Sequence, residues 1–305
     1  MKILNFGSLN YDYTYMVSHM VSPGETLASA QLQIHCGGKG LNQSIALARA
    51  GIKVYHAGMV GEDGQQLIDT CSREGIDVGY IRRLEGKSGH AIIQVNPEGE
   101  NCILLYGGAN RKNSEDQIDE VLEFFGEGDM LLLQNEINLI DVLIERAYAR
   151  RMKIILNPSP FEEQLMGYGL EKVHAFLINE TEGKQMSGEE DPGQMLKKIH
   201  RMYPDSEIVL TLGKKGVCHC DREGDTIMVP AFQAAAVDTT AAGDTFTGYY
   251  LAGICNGISR EKALRTACGA SALAVMKKGA AESIPMREEV LSFLEKYEKT
   301  ANLSC

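Results

Sequence analysis

The sequence has no surplus of basic residues. Its 305 residues include 30 Lys and Arg against 41 Asp and Glu, which gives a formal charge of −11 at pH 7. Proteins that bind duplex nucleic acid through its phosphates usually present a basic face. The charge balance therefore argues against a nucleic-acid partner and fits a metabolic protein that binds small molecules.

Cysteine is present but lacks the spacing of a disulfide framework or of a zinc site. The Cys218-His219-Cys220 run has no second pair of ligands at a fitting distance. No charged and then apolar leader precedes the first apolar run at residues 3–6. We therefore expect free thiols, a cytoplasmic location and no membrane partner. The eight cysteines are Cys36, Cys71, Cys102, Cys218, Cys220, Cys255, Cys268 and Cys305.

Two common nucleotide-binding fingerprints are also missing. No G-x-G-x-x-G follows any of the expected strands, which argues against a dinucleotide enzyme. The glycine-rich run at residues 37–40 does not extend into the G-x-x-x-x-G-K-[ST] pattern of a phosphate loop.

One stretch that is present, residues 237–248, offers a turn, an anion site and a base together. Ala241, Ala242 and Gly243 are small enough for their backbone N–H groups to approach an anion closely, and a helix begins here. A helix N-terminus attracts phosphate. A carboxylate such as Asp244 beside a phosphate site would repel the phosphate, so its presence there suggests a chemical task. A base that accepts a hydroxyl proton during phosphoryl transfer has such a task. The alternative is that Asp244 is only a first-turn residue that interacts with the helix dipole.

The run from Asp238 to Asp244 resembles the C-terminal signature of the ribokinase-like sugar kinases, D-T-x-[AG]-A-G-D before a long helix. Gly37-Gly38-Lys39-Gly40-Leu41-Asn42-Gln43 resembles that family's second signature, and the matches extend along nearly the whole chain. The resemblance implies an ATP-dependent kinase that phosphorylates a primary hydroxyl, with D-ribose as our first choice of acceptor. Fructose, deoxyribose, another pentose, a sugar acid or a nucleoside stays open, and so does a non-catalytic sugar or nucleotide sensor.

Apolar strands alternate with helices over most of the chain, which predicts an α/β fold with a doubly wound, mostly parallel sheet flanked by helices. Residues 13–36 and 89–107 are β-rich and should meet as a small separate sheet. The resemblance implies that this sheet is a lid over the sugar, and we expect a homodimer through the lid. Residues 1–12, 37–88 and 108–305 are then expected to form the large domain that binds nucleotide and substrate.

Candidates for the sugar site lie at strand ends and in the first glycine-rich signature. The side chains of Asn10 and Asp12 can bond hydroxyls, although local turn bonds explain them equally well from the pattern. Glu136 lies just beyond an apolar strand, and the alternative to a sugar-binding role for it is a position at the start of a helix. By resemblance the sugar-binding residues are Asn10, Asp12, Gly38, Lys39, Asn42, Glu136 and Asp244.

Candidates for the nucleotide site come from the resemblance as well. Asn179-x-x-Glu182 matches a third family motif that organises magnesium-bound phosphates, and a helix-capping role is compatible with it. Thr211, Gly213 and Gly216 lie in a glycine-bearing turn that is expected to contact the phosphates, together with Gly243. The implied cofactors are ATP, Mg²⁺ and a monovalent cation, usually K⁺. The matching cation ligands are Asp238, Thr240, Ala274, Gly279 and Ser283.

Two positions depart from the family pattern. Tyr11 stands between the sugar-binding candidates, where a small residue is common, and its ring would either point into the core or reshape the lid. Cys268 stands where a helix residue near the adenine is usually Asn or His.

Overall fold

The computed structural model describes residues 1–303, so Cys305 lies outside the described residues. The strands are β1 (Ile3–Phe6), β2 (Asn10–Met16), β3 (Gln31–Gly37), β4 (Val54–Val60), β5 (Asp77–Arg83), β6 (Gly89–Val95), β7 (Asn101–Tyr106), β8 (Met130–Gln134), β9 (Lys153–Asn157), β10 (Ala175–Asn179), β11 (Glu207–Thr211), β12 (Val217–Cys220) and β13 (Thr226–Val229). The helices are α1 (Lys39–Arg49), α2 (Gln65–Arg73), α3 (Glu115–Leu122), α4 (Ile140–Ala149), α5 (Glu180–Ser187), α6 (Pro192–Met202), α7 (Ala242–Cys255), α8 (Arg260–Ala274) and α9 (Arg287–Leu303).

The larger sheet has nine strands in the order β13-β12-β11-β10-β9-β8-β1-β4-β5. The pairs from β5 to β11 are parallel, and β12 and β13 close that end as an antiparallel hairpin. Its central strands are continuous apolar runs because both faces are covered by helices. Ile3 belongs to the core on one face and Leu4 to the core on the other. This arrangement confirms the predicted doubly wound α/β fold.

The smaller sheet has four strands in the order β3-β2-β6-β7. Strands β2 and β6 pair in parallel, whereas β3 and β7 flank them in antiparallel pairs. The chain enters this sheet at Asn10, so Asn10 and Asp12 lie on its strand β2. The small separate sheet expected from the two β-rich stretches is therefore present.

The carboxyl ends of the parallel strands meet at one edge of the large sheet, where open α/β folds bind their ligands. The residues that follow β8, β9 and β10 reach this edge, and α1 and α7 begin there. Among the described residues, no helix is long and apolar enough to cross a membrane. The seven described cysteines are free.

Candidate active site

The turn before α7 has a left-handed residue. Ala241 has a φ of 57°, and α7 begins at the next residue. The N–H of Ala242 donates to the carbonyl of Thr239 at 3.3 Å, while the carbonyl of Ala241 accepts the first helical bond, from Thr245. The first N–H groups of a helix have no intrahelical acceptor, so this turn presents donors to an anion. The Ala242 N–H already donates a long hydrogen bond within the turn, to Thr239, and would donate to a bound anion as well.

Asp244, in the first turn of α7, is buried and held by two side-chain amides. Asn42 Nδ2 donates to Asp244 Oδ2 at 3.1 Å, and Gln43 Nε2 donates to Asp244 Oδ1 at 2.9 Å. Both donors lie on α1, in the glycine-rich signature 37–43. Both donors are neutral amides, so they orient the carboxylate without forming an ion pair with it.

A cavity of about 190 Å³ opens at the N-terminus of α7. Its walls come from the ends of β9, β10 and β11 and from the turn before α7. The structure therefore brings together most of the residues expected at the phosphates and the base. Those that line the cavity are Lys39, Asn179, Glu182, Thr211, Ala241, Ala242, Gly243 and Asp244.

The sugar-binding candidates form a second group beside this cavity. Glu136 Oε2 accepts the backbone N–H of Lys39 at 3.0 Å and the hydroxyl of Ser8. The same Ser8 hydroxyl accepts the N–H of Gly40 at 3.2 Å. Glu136 is thus fixed against the start of α1, the same helix whose Asn42 side chain donates to Asp244.

Two glycines make room for this group. A Cβ on Gly37 would lie 2.0 Å from Oδ2 of Asp12, so a larger residue there would displace the carboxylate. Gly38 has a φ of 94° and packs against Asn10, whose backbone N and side-chain Nδ2 would lie 3.1 and 3.2 Å from a Cβ. Only glycine adopts this conformation readily and allows so close an approach.

Several carboxylates share one half-buried cation, the ammonium group of Lys39. Burial and then the Glu136 carboxylate raise the pKa of Asp12 to about 7, with a further contribution from Asp244. Burial also raises the pKa of Glu136, although Lys39 opposes that shift. Burial opposes the charge on Lys39, but the carboxylates of Asp244, Glu136 and Glu182 outweigh it and raise the pKa of Lys39. The site therefore keeps one lysine charged among its acids.

Asn179 and Glu182 form a capping box at the start of α5. Asn179 Oδ1 accepts the N–H of Glu182 at 2.9 Å, and the Glu182 carboxylate accepts both the backbone N–H and the side-chain amide of Asn179. Each carboxylate oxygen keeps a lone pair, since an ionised carboxylate accepts about four hydrogen bonds. Capping and water-mediated contact with a metal are thus compatible.

The candidate cation ligands lie near the turn that precedes α7. Asp238 Oδ2 accepts the N–H of Gly279 at 3.0 Å, and its Oδ1 accepts the N–H and hydroxyl of Thr240. The carbonyl of Ala274 accepts the N–H of Lys277, and the fully buried Ser283 donates its hydroxyl to the carbonyl of Ala280. The donors are all oxygens, which suits a hard cation.

Three residues expected at the nucleotide do not line the cavity. A Cβ on Gly216 would lie 2.1 Å from the carbonyl of Val229, so packing of the β12–β13 hairpin already requires glycine there. Gly213 lies in the short 3-10 turn at Gly213–Lys215. Cys268 is buried in the core, and burial raises the pKa of its thiol to about 12.

Tyr11 points into the core. Its ring belongs to the same core cluster as Ile3, on one face of the large sheet, and its hydroxyl donates to the carbonyl of Asp63 at 2.7 Å. Its bulk is therefore directed away from the sugar-binding candidates, and this departure from the family pattern leaves their arrangement intact.

The sequence did not single out several polar residues that support the site. Asn5, Gln43 and Gln134 are fully buried, and Asn157 and Ser159 line the cavity at the end of β9. A signal for the first three was available, because a polar side chain inside an otherwise apolar run rarely becomes buried without a partner. Their partners lie far away in the chain, so the sequence alone could not name them.

The chain is similar to known carbohydrate kinases along nearly its whole length. The sequence matches the family described as pfkB family carbohydrate kinase over residues 1–287. It is 37% identical over 298 residues to the ribokinase of Haemophilus influenzae, covering 95% of this chain and 97% of that protein. It is 33% identical over 304 residues to the deoxyribokinase of Salmonella typhimurium, covering 96% of this chain and 99% of that protein.

A solved structure of Arabidopsis thaliana ribokinase, complexed with ribose and ATP, has the same fold. It superposes with a TM-score of 0.86 at 29% sequence identity, covering 96% of this chain and 98% of that one.

Proposed function

Because the chain belongs to the pfkB family of carbohydrate kinases, we propose that it transfers the γ-phosphate of ATP to the primary hydroxyl of D-ribose and forms ribose 5-phosphate. The chain is an ATP-dependent sugar kinase. One observation carries the assignment of the site: the buried Asp244 lines the cavity at the start of α7 and interacts electrostatically with Asp12, Lys39 and Glu136.

In this proposal Asp244 is the base. It accepts the hydroxyl proton as the sugar oxygen forms its bond to the γ-phosphorus and the bond to the leaving ADP oxygen breaks. The amides at the start of α7 stabilise the negative charge on the transferred group, and Lys39, which lines the same cavity, adds a positive charge. A small sheet that closes over the sugar would exclude water as a competing acceptor.

Magnesium and a monovalent cation fit the residues present. Magnesium prefers oxygen ligands and usually keeps several waters, so Glu182 would hold it through water while the metal neutralises phosphate charge. The described residues contain no group of three or more His, Cys, Asp or Glu side chains that could bind a metal without the nucleotide. The oxygen donors around Asp238 would hold the monovalent cation.

The test of the function is ADP release on addition of a sugar. We expect ribose to give the highest kcat/KM among pentoses, hexoses and nucleosides. The Asp244→Asn variant should lose about 10²–10⁴-fold in kcat, because it removes the proton acceptor with little change in size. If none of the tested sugars causes ADP release, a non-catalytic sensor is favoured. A near-normal kcat in Asp244→Asn would refute the assignment of the base.

Deoxyribose is the second candidate acceptor, because a deoxyribokinase is among the relatives. The two sugars differ only in the 2-hydroxyl. If buried polar groups of this site bond that hydroxyl, they lose their partner with deoxyribose, and ribose should be preferred by a large factor. Equal kcat/KM values for the two sugars would contradict a dedicated ribose enzyme.

We also propose a homodimer in which the small sheets of two copies pair. Strand β7 is exposed along its whole length, with Leu104 at 68% exposure and Ile103, Leu105 and Tyr106 beside it. An exposed apolar edge strand tends to pair with another chain. Sedimentation equilibrium should give a dimer, and Leu104→Glu should shift it to monomer. Met228→Glu, at a residue 63% exposed on β13, is the control that should leave the dimer intact. A monomeric parent protein would refute this proposal.

A cytoplasmic location completes the proposal. The described free thiols and the use of ATP support it. A fluorescent fusion of the full chain that accumulated outside the cytoplasm would contradict it.

A further inference from the structure

We propose that Gln43 is the residue that positions the base Asp244, and that a buried chain of amides beneath the site fixes its orientation. This inference rests on the proposed function, since it concerns the alignment of the base in that reaction. It starts from Gln43, a fully buried residue in the first turns of α1.

Both the oxygen and the NH₂ group of the Gln43 side chain form hydrogen bonds. Gln134 Nε2 donates to Gln43 Oε1 at 2.7 Å, so the oxygen of Gln43 faces away from Asp244. The NH₂ group of Gln43 then donates to Asp244 Oδ1 at 2.9 Å and to Asn157 Oδ1 at 3.1 Å. The reversed amide would place its oxygen against the carboxylate, which is repulsive.

Gln134 is itself oriented by Asn5. Gln134 Nε2 donates to Asn5 Oδ1 at 2.9 Å, and Asn5 Nδ2 donates to the carbonyl of Gly40 at 2.7 Å and to the hydroxyl of Ser44 at 2.8 Å. A backbone carbonyl can only accept, so it fixes the direction of the whole chain from Asn5 through Gln134 to Gln43. Within this network of Asn5, Gln134 and Gln43, Gln134 Oε1 is the one side-chain polar atom without a hydrogen-bond partner. The bonds that the other atoms make favour one arrangement of the three amides.

Gln43 also joins the two halves of the site. Asn157 lines the cavity and donates its own Nδ2 to the carbonyl of Leu177 at 2.8 Å, so β9 and β10 hold it in place. One NH₂ group therefore ties the base to the wall of the cavity. A displacement of about 1 Å at a reacting group can lower a rate by about 100-fold.

The experiment uses three Met substitutions of buried glutamines in the full-length protein. Gln43→Met keeps the length and removes both donors, and Gln134→Met leaves Gln43 in place but frees its orientation. Gln117→Met is the matched control. Gln117 is buried on α3, neither of its side-chain polar atoms has a hydrogen-bond partner, and it takes no part in the site.

For Gln43→Met we expect kcat to fall by about 10- to 100-fold, because a hydrogen bond to a charged group is lost. The acid limb of the kcat–pH profile should move up by about one pH unit, since the ionised base loses a donor. The KM values for sugar and ATP should stay within about threefold, because the loss is felt in the transition state. Gln134→Met should change kcat and the acid limb in the same direction by less, and Gln117→Met should match the parent.

A Gln43→Met variant with the kcat and pH profile of the parent would overturn the inference, and so would a rise in KM alone. If Gln43→Met does not fold, Gln134→Met decides: a parental profile overturns the inference, and a shifted acid limb supports it. Failure of the parent protein to release ADP with any sugar is a separate result, which overturns the proposed function and this inference with it.

Discussion

Asn110 donates its side-chain Nδ2 to Oδ1 of Asn10 at 2.7 Å, and its own Oδ1 accepts the backbone N–H of Leu9 at 3.1 Å. The two bonds fix the amide of Asn10 with its oxygen occupied. Its Nδ2 is left as the donor, next to Gly38. At the proposed sugar site we therefore expect Asn10 to donate a hydrogen bond to a hydroxyl oxygen and the ionised Asp12 to accept hydrogen bonds from hydroxyl groups.

Asn110→Asp should reverse the amide of Asn10. The new carboxylate can still accept from Leu9 but can no longer donate to Asn10, so Asn10 would turn its NH₂ toward it and present its oxygen to the sugar. We expect the KM for the sugar to rise by about tenfold and the KM for ATP to stay unchanged. Steady-state kinetics with each substrate varied in turn measures both, and the KM for ATP is the internal control. An unchanged KM for the sugar would show that Asn10 does not bind it.

Sugar affinity should fall as the pH drops through about 7. The pKa of Asp12 is raised to about 7 by burial and by neighbouring carboxylates, and the proton removes its capacity to accept two hydroxyls. Between pH 8 and pH 6 the ionised fraction falls by roughly tenfold, and the sugar KM should rise by about that factor. Sugar binding near neutral pH should also release protons, which calorimetry in buffers of different ionisation enthalpy detects.

The same pKa sets the sign of the effect on stability. The folded carboxyl holds its proton up to about pH 7, whereas the unfolded one loses it near the ordinary aspartate pKa of 3.8. The folded state therefore binds more protons between these values, and the contribution of Asp12 to the free energy of unfolding falls as pH rises through this window. Asp12→Asn should raise Tm relative to the parent at pH 8 and not at pH 4. An equal effect at both pH values would contradict the assignment.

Gly248→Ala should separate α1 from α7. A Cβ on Gly248 would lie 2.3 Å from Cβ of Ala46 and 2.7 Å from the backbone of the same residue, so one helix must move. We expect a loss of about 1–3 kcal/mol in the free energy of unfolding. The kcat should also fall, because Asn42 and Asp244 lie one turn away on the same two helices. Chemical denaturation and kinetics measure the two effects. Gly167→Ala, where a Cβ would meet nothing within 4 Å, is the control.

Replacing K⁺ by choline should lower kcat without preventing sugar binding. The proposed cation ligands include Asp238, which also bonds Thr240 and Gly279 and so connects the loop at residues 277–285 to the turn before α7. A hard cation among these oxygens would order that turn. Rates measured at constant ionic strength in K⁺, Na⁺ and choline test this. Equal kcat in K⁺ and choline would mean that no cation acts at this site.

Much of this protein follows from local patterns in its sequence. Apolar strands that alternate with helices predict a doubly wound sheet, because each pattern depends only on neighbouring residues and on burial of both faces. The stretch at residues 237–248 placed Asp244 at a helix start for the same reason, since it also depends only on neighbouring residues.

Only the tertiary structure decided how the site is held together. The orientation of Gln43 depends on Gln134, 91 residues away, and its contact with Asp244 spans 201 residues. The direction of the Tyr11 ring and the position of Cys268 in the core rather than at the cavity depend on tertiary packing for the same physical reason. A side chain's partner is set by which helices and strands pack together in space, and such contacts leave no periodic trace in the sequence around either residue.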